Sequence, residues 1–269
     1  MKNTKLYLFA ALLLTGAWTM YQANRPTIYL IGDSTVKNGK GKGDGGLWGW
    51  GNFLADFFDT TKISVVNDAL GGTSSRTFQT KGLWEKVLAK LKPGDYVIMQ
   101  FGHNDGSPLA DSSRARGTIR GISDESNEIF NPLTKQQEVV HTYGWYMRKF
   151  VSDTKAKGAT PVICSPIPRN NWSDGKIRRD TSAYAKWAEE VAIAEHISFI
   201  PLNRIICDQY DKLGEEKASK DMFTTTDHTH TSLAGAKINA ACVVQGLKEL
   251  KGNPLLKYLS AEADNVGKN

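Results

Sequence analysis

At 269 residues, with 40% hydrophobic and 23% charged residues, the chain is neither low-complexity nor disordered in composition, and its length allows one sizeable α/β core. Its net charge of +6 comes from 34 basic and 28 acidic residues in mixed order, which excludes a continuous nucleic-acid stripe and leaves an acidic substrate compatible. Three cysteines, Cys164, Cys207 and Cys242, all in apolar surroundings, exclude a disulfide framework and read as buried small hydrophobes.

Lys2 and Lys5 precede an apolar run from Leu6 to Ala17, the pattern of a secretory signal peptide. The run is shorter than the ~20 residues a membrane span needs, and no lipidation cysteine follows it. Residues 1–23 are therefore expected to be a signal peptide and 24–269 one exported domain, with an uncleaved anchor as the alternative. Ile28-Tyr29-Leu30-Ile31 then reads as a buried strand, which Gly32 lets turn sharply. A glycine-rich loop runs from Asn38 to Gly46, and Trp48, Phe53, Leu54, Phe57 and Phe58 follow at near-helical spacing. A second strand fits Ile63 to Asn67, and Leu83, Trp84, Val87, Leu88 and Leu91 form a helical stripe. The turn Lys92-Pro93-Gly94-Asp95 launches a third strand, Tyr96 to Phe101.

From Gly102 to Leu133 the chain is polar and aperiodic, a long connection of the kind that often carries function. The pattern predicts a helix from Lys135 to Lys157, a strand over Thr160 to Cys164 and a helix over Asp180 to Glu195. A short strand, His196 to Ile200, and a helix, Asn203 to Leu213, come next. Ser232 is placed to cap a last helix, Leu233 to Leu250, and the tail beyond Gly252 is expected to pack loosely. Five alternations of strand and helix imply a three-layer α/β/α sandwich around a five-stranded parallel sheet, with no repeat or linker to mark a second domain.

Strand ends on one edge of such a sheet are where ligands bind, so Ser34, just after the first strand, is a candidate nucleophile. Asp227 and His230 lie three residues apart before the last helix, a spacing that lets the carboxylate orient the imidazole that takes the serine proton. Gly72 and Asn104 follow the second and third strands and can supply oxyanion donors. The Gly-x-Ser-x-Gly elbow of the α/β-hydrolases is absent.

Four blocks in order resemble the SGNH hydrolases, the GDSL-like esterase and lipase superfamily. They are Gly32-Asp33-Ser34-Thr35 (Thr where many members carry Leu), Gly72, Gly102-His103-Asn104-Asp105, and Asp227 to His230. More narrowly, Asn67 to Arg76, Phe101 to Asp105 and Asp227 to Thr231 are similar to rhamnogalacturonan acetylesterases, which deacetylate the pectic backbone of galacturonic acid and rhamnose. The resemblance implies a flavodoxin-like fold and two-step acyl transfer. Ser34 would be the nucleophile, His230 the base and Asp227 its orienting acid, with Ser34, Gly72 and Asn104 as oxyanion donors and no metal or organic cofactor. The implied partner is an acetylated acidic polysaccharide, with no nucleic acid and no stable membrane partner, and the protein is expected to act as a monomer. Acetylated xylan, a broader ester range, or polysaccharide binding without catalysis are the alternatives.

Other motifs carry less. Gly41-Lys42-Gly43-Asp44-Gly45-Gly46 fits a dinucleotide fingerprint formally but comes too late after the first strand. His228 and His230 lack the further ligands a metal site needs. Arg76, Arg169 and Trp172 lie near the same sheet edge, where arginines could pair with uronate carboxylates and an indole could stack on a sugar. These three are the candidate substrate contacts.

Overall fold

The computed structural model describes residues 25–179, 183–225 and 227–267; the expected signal peptide lies outside the described residues. The apolar run forms strand β1 (Thr27–Gly32). Successive side chains of a strand point to opposite faces, so β1 feeds two cores, Ile28 and Leu30 on one side and Tyr29 and Ile31 on the other. The alternation repeats in β3 (Tyr96–Gln100) and β6 (Thr160–Cys164). There Ile98 and Val162 join the first core, and Val97, Met99 and Ile163 join the second. With β2 (Ser64–Asn67) and β9 (Ser198–Ile200) these strands make a five-stranded sheet, all parallel, in the order β2-β1-β3-β6-β9.

Helices cover both faces. The first core is closed by α5 (Leu202–Leu213), α6 (Glu215–Asp221) and α7 (Leu233–Glu249), through residues such as Ile206, Ala218, Val243 and Leu247. The second is closed by α1 (Ser75–Thr80), α2 (Leu83–Leu88), α3 (Tyr143–Ala156) and α4 (Tyr184–Ala194), through Phe78, Trp84, Phe150 and Val191. Cys164, Cys207 and Cys242 are buried free thiols. Strand order reverses between β1 and β3, and the crevice beyond the carboxyl ends at such a reversal is the ligand site of open α/β sheets. Ser34 and Asn104 follow those two strands.

Five segments differ from the sequence expectation. The helix expected from Lys135 starts only at Tyr143, because β5 (Gln136–His141) pairs antiparallel with β4 (Ser126–Asn131). Thr142 then caps α3, its side chain accepting the Trp145 N–H. The stripe from Trp48 to Phe58 makes two short 3₁₀ turns, Trp50–Asn52 and Leu54–Phe57, instead of a helix. Its backbone bonds elsewhere: Trp50 N–H donates to Thr35 O and Gly51 N–H to Val36 O, at 3.0 Å each. The short helices α1 and α6 carry no strong apolar stripe of their own. The tail also packs, with Leu255 and Ala263 buried and Phe58 bridged to Leu259.

Ser232 does cap α7. Its Oγ accepts the Gly235 N–H at 3.1 Å and donates to Asp221 O at 2.6 Å, so it ties α6 to the start of the last helix. Replacing a capping serine by alanine costs about 1 kcal/mol. Ser232→Ala is expected to lose about that much stability in urea unfolding followed by circular dichroism.

Candidate active site

The turn after β1 has little freedom. A Cβ on Gly32 would stand 2.5 Å from Val36 Cγ2 and 2.6 Å from Gln100 O, so only glycine fits. Asp33 is fully buried, and its Oδ1 accepts the N–H and O–H of Thr35 at 2.8 and 2.7 Å. Its carbonyl accepts the N–H groups of Val36 and Lys37. Between these anchors Ser34 faces the cleft, half-buried.

The chain returns to this point from its other end. Asp227 Oδ1 accepts the N–H groups of Thr229 and His230 at 2.7 and 2.8 Å, closing the loop on itself. Its Oδ2 accepts from His230 Nδ1 at 2.7 Å, which leaves Nε2 to accept the Ser34 hydroxyl at 2.8 Å. Partial burial pushes the Asp227 carboxyl up, but the His230 side-chain bond, the two backbone donors and the imidazole charge hold it down at about 2. Trp48 locks the two loops together: its N–H donates to Thr231 O at 3.0 Å and its carbonyl accepts the Thr231 hydroxyl at 2.9 Å.

Gly72 and Asn104 stand across from this pair. Gly72 has φ of 80°, a left-handed conformation that glycine adopts without strain. Asn104 is buried and spends one amide hydrogen on Thr73 O at 2.7 Å, leaving the second for a ligand. Among the described residues no hydrogen bond uses the N–H of Ser34 or of Gly72. Three donors are therefore available around the Ser34 hydroxyl.

A charged floor supports these loops. His103 lies between Asp33 Oδ2, at 3.2 Å from Nδ1, and Ile167 O, at 3.0 Å from Nε2. The ring thus bridges the turn after β1 and the loop that carries Ile167. Burial pushes the Asp33 carboxyl up, but the charge and hydrogen bond of His103, together with the Thr35 donors, hold it below the usual carboxylate range. Asp105, also fully buried, accepts the N–H and O–H of Ser75 at 3.0 and 2.5 Å, and its Oδ2 has no partner among the described residues. Burial dominates there: it raises the carboxyl to about 7 against the lowering bonds from Ser75, and Asp33 adds a further rise.

The cleft over these groups has a volume of about 450 Å³, and Arg114, Arg116 and Arg169 stand in its wall with Ser34, Gly72, Asn104 and His230. Arg116 donates to Gly72 O at 3.1 Å and to Ser107 Oγ at 3.2 Å; Arg169 donates to His103 O at 3.2 Å and to Thr229 Oγ1. Among the described residues none of the three arginines pairs with a carboxylate.

Of the expected substrate contacts, only Arg169 reaches the cleft. Arg76 is 0% exposed, bonded bidentate to Glu138 at 2.7 Å per contact and to the carbonyls of Leu109 and Gly117. It is a structural strut. Trp172 packs against the first core and gives its indole N–H to Asn170 Oδ1 at 2.7 Å; it lines neither of the clefts that contain His103. Arg114 and Arg116, which were not among the expected contacts, also stand in the cleft wall. In the sequence they form only a short basic cluster, and their position depends on how the loop folds back over Gly72. Among the described residues no group of three His, Cys, Asp or Glu side chains could hold a metal, and no helix is long and apolar enough to cross a membrane.

The model of the GDSL-like Lipase/Acylhydrolase family matches residues 30–238, which run from β1 into the last helix and include every residue of the cleft described above. The chain belongs to this family. It is thus a carboxylic ester hydrolase of the GDSL type. A rhamnogalacturonan acetylesterase of Emericella nidulans is 29% identical over 228 residues, 84% of this chain and 86% of that protein. The probable rhamnogalacturonan acetylesterase YesY of Bacillus subtilis is 30% identical over 239 residues, 87% and 98% of the two chains. Among solved structures, protein YxiM of Bacillus subtilis matches with a TM-score of 0.66 and 27% identity, covering 84% of this chain but only 56% of that one. An acetylxylan esterase from Geobacillus stearothermophilus is similar in fold, with a TM-score of 0.55 at 19% identity over 82% of this chain and 93% of that one.

The Asp105 assignment has a pH signature. Its folded-state affinity for a proton exceeds that of an unfolded carboxyl, so this group's contribution to stability falls as pH rises from about 4 towards about 7. Asp105→Asn keeps an oxygen for Ser75 and cannot ionise. The melting temperature of the variant minus that of the wild type is expected to rise between about pH 5 and about pH 8; a difference independent of pH would contradict the assignment.

Proposed function

We propose that the protein is an exported serine esterase that removes acetyl groups from an acidic plant cell-wall polysaccharide, acetylated rhamnogalacturonan above all. The observation that carries the substrate class is the set of three arginines without carboxylate partners around Ser34. A guanidinium stays charged at any physiological pH, and Arg114 lowers the proton affinity of Arg116 by repulsion, after the larger effect of burial. An anionic ligand relieves that repulsion, and arginine forks suit carboxylates. Galacturonate residues supply carboxylates at regular intervals, whereas a xylose backbone supplies none. The names of the Emericella and Bacillus relatives support the same substrate, and the likeness to the acetylxylan esterase is one of fold.

In the proposed reaction Ser34 Oγ attacks the acetyl carbonyl carbon while His230 Nε2 takes its proton. Asp227 holds the imidazole in the needed tautomer and stabilises the imidazolium that forms. The carbonyl oxygen, now negative, accepts from Ser34 N–H, Gly72 N–H and Asn104 Nδ2. His230 then gives its proton to the sugar oxygen as the carbon–oxygen bond breaks, leaving acetyl-Ser34. Water, deprotonated by His230, attacks the acyl carbon; acetate leaves and the proton returns to Ser34.

Removing one oxyanion donor typically lowers turnover by about 10²–10³. Asn104→Ala is expected to lose kcat on that scale with its circular dichroism spectrum unchanged. The substrate is tested by acetate release from acetylated rhamnogalacturonan, acetylated xylan and a small aryl acetate, with Ser34→Ala as blank. The acidic polymer is expected to give the highest kcat/KM, with a KM that rises as salt is raised from about 0.05 to about 0.5 M, where the screening length shortens severalfold. Equal rates on both polymers would overturn the pectin reading.

A further inference from the structure

We propose that a second cleft, adjoining the one above Ser34, binds a carboxylate-bearing sugar farther along the same polysaccharide chain; this rests on the acidic-polysaccharide reading above. The cleft has a volume of about 410 Å³ and is lined by residues that include Arg120, Asn171, Arg178 and Tyr184, a size in the range of small-ligand sites. It shares His103 and Arg169 with the Ser34 cleft, so one groove passes from the nucleophile across Arg169 into the second space.

Charge distinguishes its walls from ordinary surface. Arg179, also at this cleft, is neutralised by Asp208 and Asp211 at 2.9 and 3.1 Å. Arg120 and Arg178 have no carboxylate partner among the described residues. The Arg120 guanidinium lies over the Trp187 ring, 5.4 Å from its centroid. A guanidinium lying against an aromatic face is held in place while its edge N–H groups stay available to a ligand.

The second side of the cleft is tied to the reacting groups. The short strands β7 (Trp172–Ser173) and β8 (Lys176–Ile177) form a hairpin, and the Arg178 N–H donates to Asn171 O at 2.7 Å just beyond it. The Asn170 N–H donates to His228 O at 2.7 Å, which joins this hairpin to the loop that carries Asp227 and His230. The two clefts therefore keep a fixed spacing, and a sugar carboxylate held by Arg120 and Arg178 sets the register of the acetylated sugar over Ser34.

The test uses the double variant Arg120→Gln/Arg178→Gln and acetylated rhamnogalacturonan oligosaccharides of increasing length. Charge-assisted hydrogen bonds contribute enough that losing them raises KM by about tenfold or more. In the wild type KM is expected to fall as the oligosaccharide grows long enough to enter the second cleft. In the variant that gain disappears, while kcat and the hydrolysis of a small aryl acetate, which does not extend that far, are unchanged. Arg178→Lys restores part of the gain. Wild-type preference for the acidic polymer with an unaltered KM profile in the variant would overturn the second subsite alone. A wild type that deacetylates xylan and ignores the acidic polymer would overturn both readings.

Discussion

A hydrogen bond between side chains 196 residues apart, Ser34 and His230, sets the terms for the rest of the molecule. Such a bond weakens steeply once distance or angle drifts, so both loops must be held to within a few tenths of an ångström. Local bonds do part of this. Asp33 ties down the Ser34 turn, and Asp227 uses one oxygen to shape its own loop and the other to aim His230. The rest falls to the segment around Trp48 and Trp50, which bonds Thr231 on one side and Thr35 and Val36 on the other. That segment gives up helical bonding of its own and becomes the clamp between the Ser34 turn and the His230 loop. Gly49 and Gly51 make the clamp close, since a Cβ on either would run into the backbone of Val36.

Beneath the cleft lie charges that a globular core usually avoids. Burying charge seldom adds net stability, because desolvation offsets the attraction, so the Asp33–His103 contact and the Arg76–Glu138 pair are better understood by what they hold in place. Arg76 joins α1 to the carbonyls of Leu109 and Gly117 and, through Glu138, to the β4–β5 hairpin. Arg114 and Arg116 sit between those two carbonyls in the chain, so the strut positions the loop that brings them over Gly72. Asp105 ties the loop after β3 to the start of α1, and so fixes Asn104 relative to Gly72. The donors are preorganised by contacts made elsewhere, which is the condition for oxyanion stabilisation without reorganisation.

The central strands β1 and β3 were legible because each is buried along its length and carries a run of four apolar residues. That Ser34, Gly72, Asn104, Asp227 and His230 would meet at one cleft was legible because each sits in a short motif at a strand end or before a capped helix. What escaped was non-local. The segment over Gln136–His141 could extend α3 on propensity alone, and only its partner strand ten residues earlier, at Ser126–Asn131, makes it a hairpin. Arg76 looked like a substrate contact because its partner, Glu138, lies 62 residues away in that same hairpin. Trp172 was assigned by proximity to a strand end, but its indole finds Asn170 and the first core instead. Arg114 and Arg116 carried no signal beyond their charge, since what makes them part of the cleft is the path of a loop without periodicity.

The proposed acyl transfer requires Ser34 to be a nucleophile activated by His230 across the 2.8 Å contact between them. A serine-directed aryl phosphonate, followed by mass spectrometry of the intact protein and its peptides, tests it most directly. One phosphonyl group per chain on the peptide containing Ser34, with labelling strongly slowed in His230→Ala, is the result predicted. Labelling at another residue, or an unchanged rate in His230→Ala, would contradict it.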